Sequence, residues 1–116
     1  MKALVVEPGQ APKKVEIADK LSTLQEIVGG KIECVYPFSD PVAIICNEEG
    51  KIMGLPANRG VYDEEGELYN ILCGTFLITG LSESAFADLS DDLIEKYGRY
   101  YQYPEIFILK GAGYER

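Results

Sequence analysis

Two groups of residues have types and spacings suited to chemistry. The first runs from Asn47 to Arg59, where Gly50 and Gly54 allow backbone angles and close approaches that other residues resist. Asn47 and Asn58 each present an amide there, and Arg59 presents a planar fork of donors matched to a carboxylate or phosphate. With Tyr62 just beyond, this stretch is suited to an anionic, nucleotide-like ligand. The competing reading is structural: Arg59 lies in an acidic stretch, and pairing with Asp63 or a nearby Glu across the turn needs no ligand. That local pair is the simpler expectation. The second group is Tyr97, Tyr100, Tyr101 and Tyr103. Tyrosine offers broad, stiff contact area with a polar tip and is enriched at interfaces.

Other reactive chemistry is hard to find. The chain has no histidine, the usual acid–base group at neutral pH. Glu48-Glu49 and Asp63-Glu64-Glu65 fall in turn sequences, where solvent keeps carboxylates ordinary. Ser22, Ser82 and Ser90 read as helix caps rather than nucleophiles, and no G-x-S-x-G, P-loop or G-x-G-x-x-G pattern occurs. Cys34, Cys46 and Cys73 form no C-x-x-C pair and lie in apolar runs, so they are expected to be buried, unpaired thiols. The expectation is a protein that is not an enzyme and carries no cofactor or metal.

The elements that must position these residues alternate short strands with two or three short helices. Ala3–Val6 and Lys13–Ile17 read as an opening hairpin around Pro8-Gly9. Leu21–Val28 reads as a helix with Ser22 and Gln25 as a capping box, stopped by Gly29-Gly30. Ile32–Tyr36 is strand-like, and Val42–Cys46 is apolar without alternation, as in a strand covered on both faces. Lys51–Met53 begins a return strand that Gly54–Gly60 breaks into a loop. A turn at Asp63–Gly66 then joins two short strands. Ile71–Thr79 is the longest strand candidate, and Gly74 inside it suggests a bulge or a close backbone approach. Ser82 and Ser90 both read as N-caps, the second opening a helix with Leu93, Ile94, Tyr97 and Tyr101 on one stripe. Tyr100 falls off that stripe, and Pro104 carries Tyr103 away from the helix, so at least one of the two is expected to be exposed. A final edge strand is expected over Ile106–Leu109. These patterns predict an α+β fold: one domain over residues 1–116 with a single, largely antiparallel sheet, the tail from 81 packing on it as a helical segment.

Charge adds a constraint on partners. The net charge is −8, and it is concentrated: residues 33–105 hold four bases against fourteen acids, a net of −10. Such a midsection repels phosphate backbones, so direct nucleic-acid binding is not expected; it suits a basic protein surface. The first residues reach Glu7 before any long apolar run, too early for a leader core or a membrane span, and a cytoplasmic location without membrane association is the expectation.

Three blocks carry a family resemblance. The first comprises Ala3–Pro8, Leu24-Gln25 with Val28–Gly30, and Ile32-Glu33 with Val35 and Pro37. The second is Asn47–Gly50, Gly54–Pro56 and Asn58-Arg59, and the third is Gly74-Thr75 with Gly80. Over residues 2–80 these resemble the domain-of-unknown-function family numbered three-eight-four-six, with Lys31 and Cys73 departing from its pattern. The resemblance implies a phage or mobile-element setting, in which small accessory proteins antagonise host defences; it implies no reaction and no catalytic residue. The leading expectation is therefore an accessory protein that binds and inhibits a basic host protein, a defence nuclease foremost, through an acidic, tyrosine-bearing surface. The alternatives are a binder of an anionic small molecule around Asn58 and Arg59, and an oligomerisation module forming a homodimer.

Overall fold

Strands whose residues are apolar on both faces end up in the middle of the sheet. In the computed structural model, which describes residues 1–110 and 113–115, Val42–Asn47 (β4) is buried at every position and Phe76–Leu81 (β7) at all but its last. They pair antiparallel, Ile44 opposite Ile78. Lys2–Val6 (β1) lies on the other side of β7, with Lys13–Glu16 (β2) outside it, and Ile32–Val35 (β3) lies outside β4. The order is β2-β1-β7-β4-β3, and Phe86–Ala87 (β8) adds a sixth strand along β7. Every pairing is antiparallel. With two helices, Leu21–Val28 (α1) and Asp91–Tyr100 (α2), the fold is the expected α+β.

The sheet is covered on both faces because β4 and β7 require it. Leu4, Val6, Val42, Ile44, Cys46, Phe76 and Ile78 pack with Leu89, Tyr97 and Tyr101 of the α2 region and with Val61 and Leu72. The last two belong to a separate hairpin of Ala57–Tyr62 (β5) and Leu68–Cys73 (β6). On the opposite face Ala3, Ile45 and Leu77 pack against Leu24 of α1. A third pair, Ile108–Lys110 (β9) and Gly113–Glu115 (β10), forms its own two-stranded ladder. Among the described residues no helix is long and apolar enough to cross a membrane.

Several local expectations are corrected. The stretch Gly54–Gly60 is not a loop throughout: it enters β5 at Ala57, while Lys51–Met53 forms a turn closed by Met53 N–H on the Glu49 carbonyl at 2.8 Å. Asn58 has poor strand propensity and falls at a register shift between Ala57 and Arg59, where burial and its own hydrogen bonds hold it in β5. Residues 71–79 are two strands of two different ladders, because Gly74 sits at φ 86° and turns the chain between β6 and β7. The close approach expected there is real, since a Cβ on Gly74 would stand 2.7 Å from Leu55 Cδ1. Ser22 does not cap α1, whose N-cap is Lys20, two residues earlier, and which has no side-chain cap; its left-handed stop at Gly29 is as expected. Ser82 opens no helix. Its hydroxyl and N–H both bond the Ala85 carbonyl in the tight turn from β7 to β8. Ser90 does cap α2, accepting from Leu93 N–H at 3.3 Å.

Candidate functional site

The seven candidate residues separate into two kinds. Asn58 and Arg59 are interior, 1% and 0% exposed. Asn58 Nδ2 donates to the carbonyls of Val6 at 2.8 Å and Gly74 at 2.9 Å, tying β5 to β1 and to the β6–β7 turn. Arg59 donates from Nε and Nη2 to the Tyr101 carbonyl at 3.3 and 2.8 Å, from Nη2 to the Gln10 carbonyl at 2.6 Å, and from Nη1 to Asn58 Oδ1 at 2.8 Å. The fork thus clasps the C-terminal end of α2 and the β1–β2 turn. The structural reading of Arg59 has the right character but the wrong partner. Asp63 instead accepts from the N–H groups of Glu65 and Glu67 and caps its own turn. Burial lowers the Arg59 pKa, opposed by the charge of Glu105. A ligand cannot reach these donors without unmaking the interior.

Asn47 is also internally engaged. Its amide donates to the Val28 carbonyl at 3.1 Å, and its Oδ1 accepts from Glu49 N–H at 2.8 Å, so it caps the end of α1 and opens the following turn. It also borders a cleft of about 320 Å³ with Glu33, Glu48, Lys51 and Asn70, where Lys51 Nζ donates to Asn70 Oδ1 at 2.7 Å. Gly54 is an exposed turn glycine at φ 71°.

Tyr62, Tyr100 and Tyr103 converge. Together with Pro104, Glu105 and Ile106 they line an open groove of about 520 Å³. Tyr62 ends β5, Tyr100 ends α2, and Tyr103 lies in the segment leaving the helix. Glu105 fastens that segment to β5, accepting from Gly60 N–H at 3.0 Å and from the Tyr62 hydroxyl. The groove's apolar groups face solvent: Tyr100 is 52%, Tyr103 75% and Ile106 83% exposed. The stripe partners lie inside as the helical spacing requires, Tyr97 donating to Asp40 Oδ2 at 2.6 Å and Tyr101 meeting Phe76 edge-on at 5.4 Å. Tyr100 is braced from beneath, edge-on to Tyr101 at 4.7 Å and Phe38 at 5.4 Å. Burial raises its pKa, and the charges of Glu105 and Tyr69 raise it further.

Sequence reasoning missed Glu105 and Ile106 as parts of this groove. Glu105 leaves no local signal, because its partners on β5 lie 43 and 45 residues away. Among the described residues no three His, Cys, Asp or Glu side chains are grouped to hold a metal ion. Cys46 and Cys73 are buried and Cys34 is half-buried, all three as free thiols, with burial pushing Cys46 up to about 11.

Fold and groove together define an α+β protein whose accessible candidate site is an aromatic cleft. The family model described as Domain of unknown function (DUF3846) matches residues 1–102, and the chain belongs to that family. The match runs past residue 80, where the resemblance seen in the sequence ended, and takes in α2 with Tyr97, Tyr100 and Tyr101. No curated protein and no solved structure is significantly similar to the chain.

Proposed function

We propose that the protein is a non-enzymatic binding protein that docks its tyrosine groove onto a basic surface of a host protein. The observation that carries this reading is the convergence of Tyr62, Tyr100 and Tyr103 with Ile106 on one open groove. Exposed aromatic rings braced by a packed helix lose little freedom on binding, which is what makes an interface anchor effective. The exposed acids Asp63, Glu64, Glu65 and Glu67 follow Tyr62 directly in the β5–β6 turn. They supply long-range attraction to a basic partner, while the rings supply residence time. A nuclease of host defence fits this chemistry, since its nucleic-acid channel is basic, and the mobile-element setting implied by the family resemblance suits such a target.

The test compares the wild-type chain with Tyr100→Ala/Tyr103→Ala. Host proteins captured at low and high salt are identified, and binding is then rebuilt from purified components. The double variant is expected to remain folded and bind about tenfold more weakly, the scale of losing an anchor. A folded double variant that binds the purified partner as wild type does rejects the groove. Self-association that blocks the same rings replaces the reading with the homodimer.

A further inference from the structure

A strand at the end of a sheet presents main-chain donors and acceptors, and natural sheets guard such ends with charge. The two ends of this sheet differ. β2 carries exposed Lys13, Lys14 and Glu16. Among the described residues β3 pairs only with β4, and its sequence, Ile32-Glu33-Cys34-Val35, holds a single charge. The Lys31 carbonyl accepts from Glu48 N–H at 2.8 Å, so Lys31 faces β4, and alternation turns Glu33 and Val35 the same way. The main-chain groups of Ile32 and Cys34 then point outward, as do those of Tyr36, which Pro37 keeps extended. The side chains of Ile32 and Cys34 lie half-buried against Leu24 and Ile45, so the apolar cluster under α1 runs out to the edge itself. Tyr36 beyond them is 60% exposed, and Met53, whose sulfur meets the amide of Asn47 opposite Ile32, is 53% exposed.

A second copy of the chain fits this edge. Antiparallel pairing about a two-fold axis through the sheet keeps each face on its own side, so the axis must pass at a residue. At Glu33 it would set two carboxylates opposite each other. At Val35 it would carry Ile32 past Pro37 to Phe38, whose ring is packed on Tyr97 at 4.6 Å. At Cys34 it sets Ile32 opposite the partner's Tyr36 and Glu33 opposite the partner's Val35, and the outward main-chain groups of Ile32, Cys34 and Tyr36 all meet complements. We infer that two copies join β3 to β3, centred on Cys34, into one continuous antiparallel sheet. Because α1 and α2 cover opposite faces, both copies then carry α2, with its tyrosine groove, on the same side. The use of two grooves at once rests on the docking reading above; the pairing of β3 does not.

Sedimentation of the full chain across concentration is expected to show monomer and dimer in equilibrium. Each copy carries a net charge of −8, so added salt is expected to strengthen the dimer, opposite to its effect on docking to a basic surface. Hydrogen exchange reads the register. The Ile32 and Cys34 amides are expected to slow as concentration rises, while Glu33 and Val35, already turned to β4, change little. A short bifunctional thiol reagent is expected to link Cys34 to the Cys34 of the second copy. Cys34→Pro removes an outward N–H at an edge, where proline is tolerated, and Tyr36→Lys places a charge at an exposed position. Each is expected to leave the protomer folded and weaken the dimer at least about tenfold. A chain that stays monomeric up to about 1 mM overturns the inference. So does a dimer that salt weakens, or one that survives Tyr36→Lys with Ile32 and Cys34 exchanging as in the monomer. Dimerisation unchanged in Tyr100→Ala/Tyr103→Ala supports the β3 edge, whereas its loss there places the contact in the groove and overturns the pairing.

Discussion

At the scale of single residues, Arg59 is the most consequential side chain in the interior. It is fully buried and joins three chain segments that are distant in sequence: β5, the β1–β2 turn at Gln10, and the end of α2 at Tyr101. Removing it leaves two backbone carbonyls without their donor and a cavity beside them. Arg59→Ala is therefore expected to lower the unfolding free energy by about 3–4 kcal/mol, measured by urea denaturation. Arg59→Lys should recover only part of this, because an ammonium lacks the planar fork that reaches both carbonyls. A loss below roughly 1 kcal/mol for Arg59→Ala would mean that the clasp contributes little. The type of this residue was legible in the sequence as a donor fork awaiting an acceptor. Its acceptors were not, since main-chain carbonyls carry no residue identity and these lie 42 and 49 residues away.

At the scale of elements, the β7–β8 turn shows how a short segment is held without a helix. Gly80 of β7 pairs with Ala87, and the chain continues so close that a Cβ on Gly80 would run into the Asp88 carbonyl. The obstacle is backbone, which cannot rotate away as a side chain can. Gly80→Ala is expected to cost about 2 kcal/mol and to loosen β8 and the residues just after it, where Leu89 N–H is bonded to the Lys2 carbonyl at 2.9 Å. Hydrogen exchange at Leu89 against that at Ile44 checks it: faster exchange confined to Leu89 is the expected result, and unchanged exchange at both refutes it. Nothing local distinguishes Ser82 from Ser90 as a cap, for both precede acids. The difference is that Leu81 and Phe86 become partners across a ladder.

At the scale of the whole molecule, stability is expected to fall on both sides of neutrality, for separable reasons. Hydrogen bonds from Lys96 and then Tyr97, each at 2.6 Å, hold the Asp40 carboxyl below its ordinary value of 3.8. A depressed folded pKa gives stability that is complete above the unfolded value and lost as pH falls through the folded one. The acid limb therefore begins below that ordinary value, and Asp40→Asn should flatten it. On the alkaline side burial raises Cys46 to about 11 from 9.0, and raises Tyr97 and Tyr101 as well. The native state then keeps protons that the unfolded chain releases, so stability is complete below pH about 9 and declines above it. Melting temperatures across pH check both limbs. An alkaline limb whose onset does not move upward in Cys46→Ala would assign it to the tyrosines alone.

What the sequence determined by itself was whatever depends on near neighbours. The unbroken apolar run of Val42–Cys46 placed β4 between covered faces, Ser90 and its acids began α2, and the 3.6-residue repeat sent Tyr97 and Tyr101 inward while leaving Tyr100 outside. Three spaced blocks carried the family. Only the tertiary structure decided how the candidate residues divide. Asn58 and Arg59 look from the sequence like accessible donors, but the path of β5 buries both, Asn58 at a register shift and Arg59 paired with Leu72. Tyr62 and Tyr103 are 41 positions apart along the chain, and they meet because Glu105 fastens the segment after α2 onto β5. Helical and strand periodicities act over a few residues and can be read along the chain. Which buried donor finds which distant carbonyl, and which exposed rings share one groove, depends on the path of the folded chain through space.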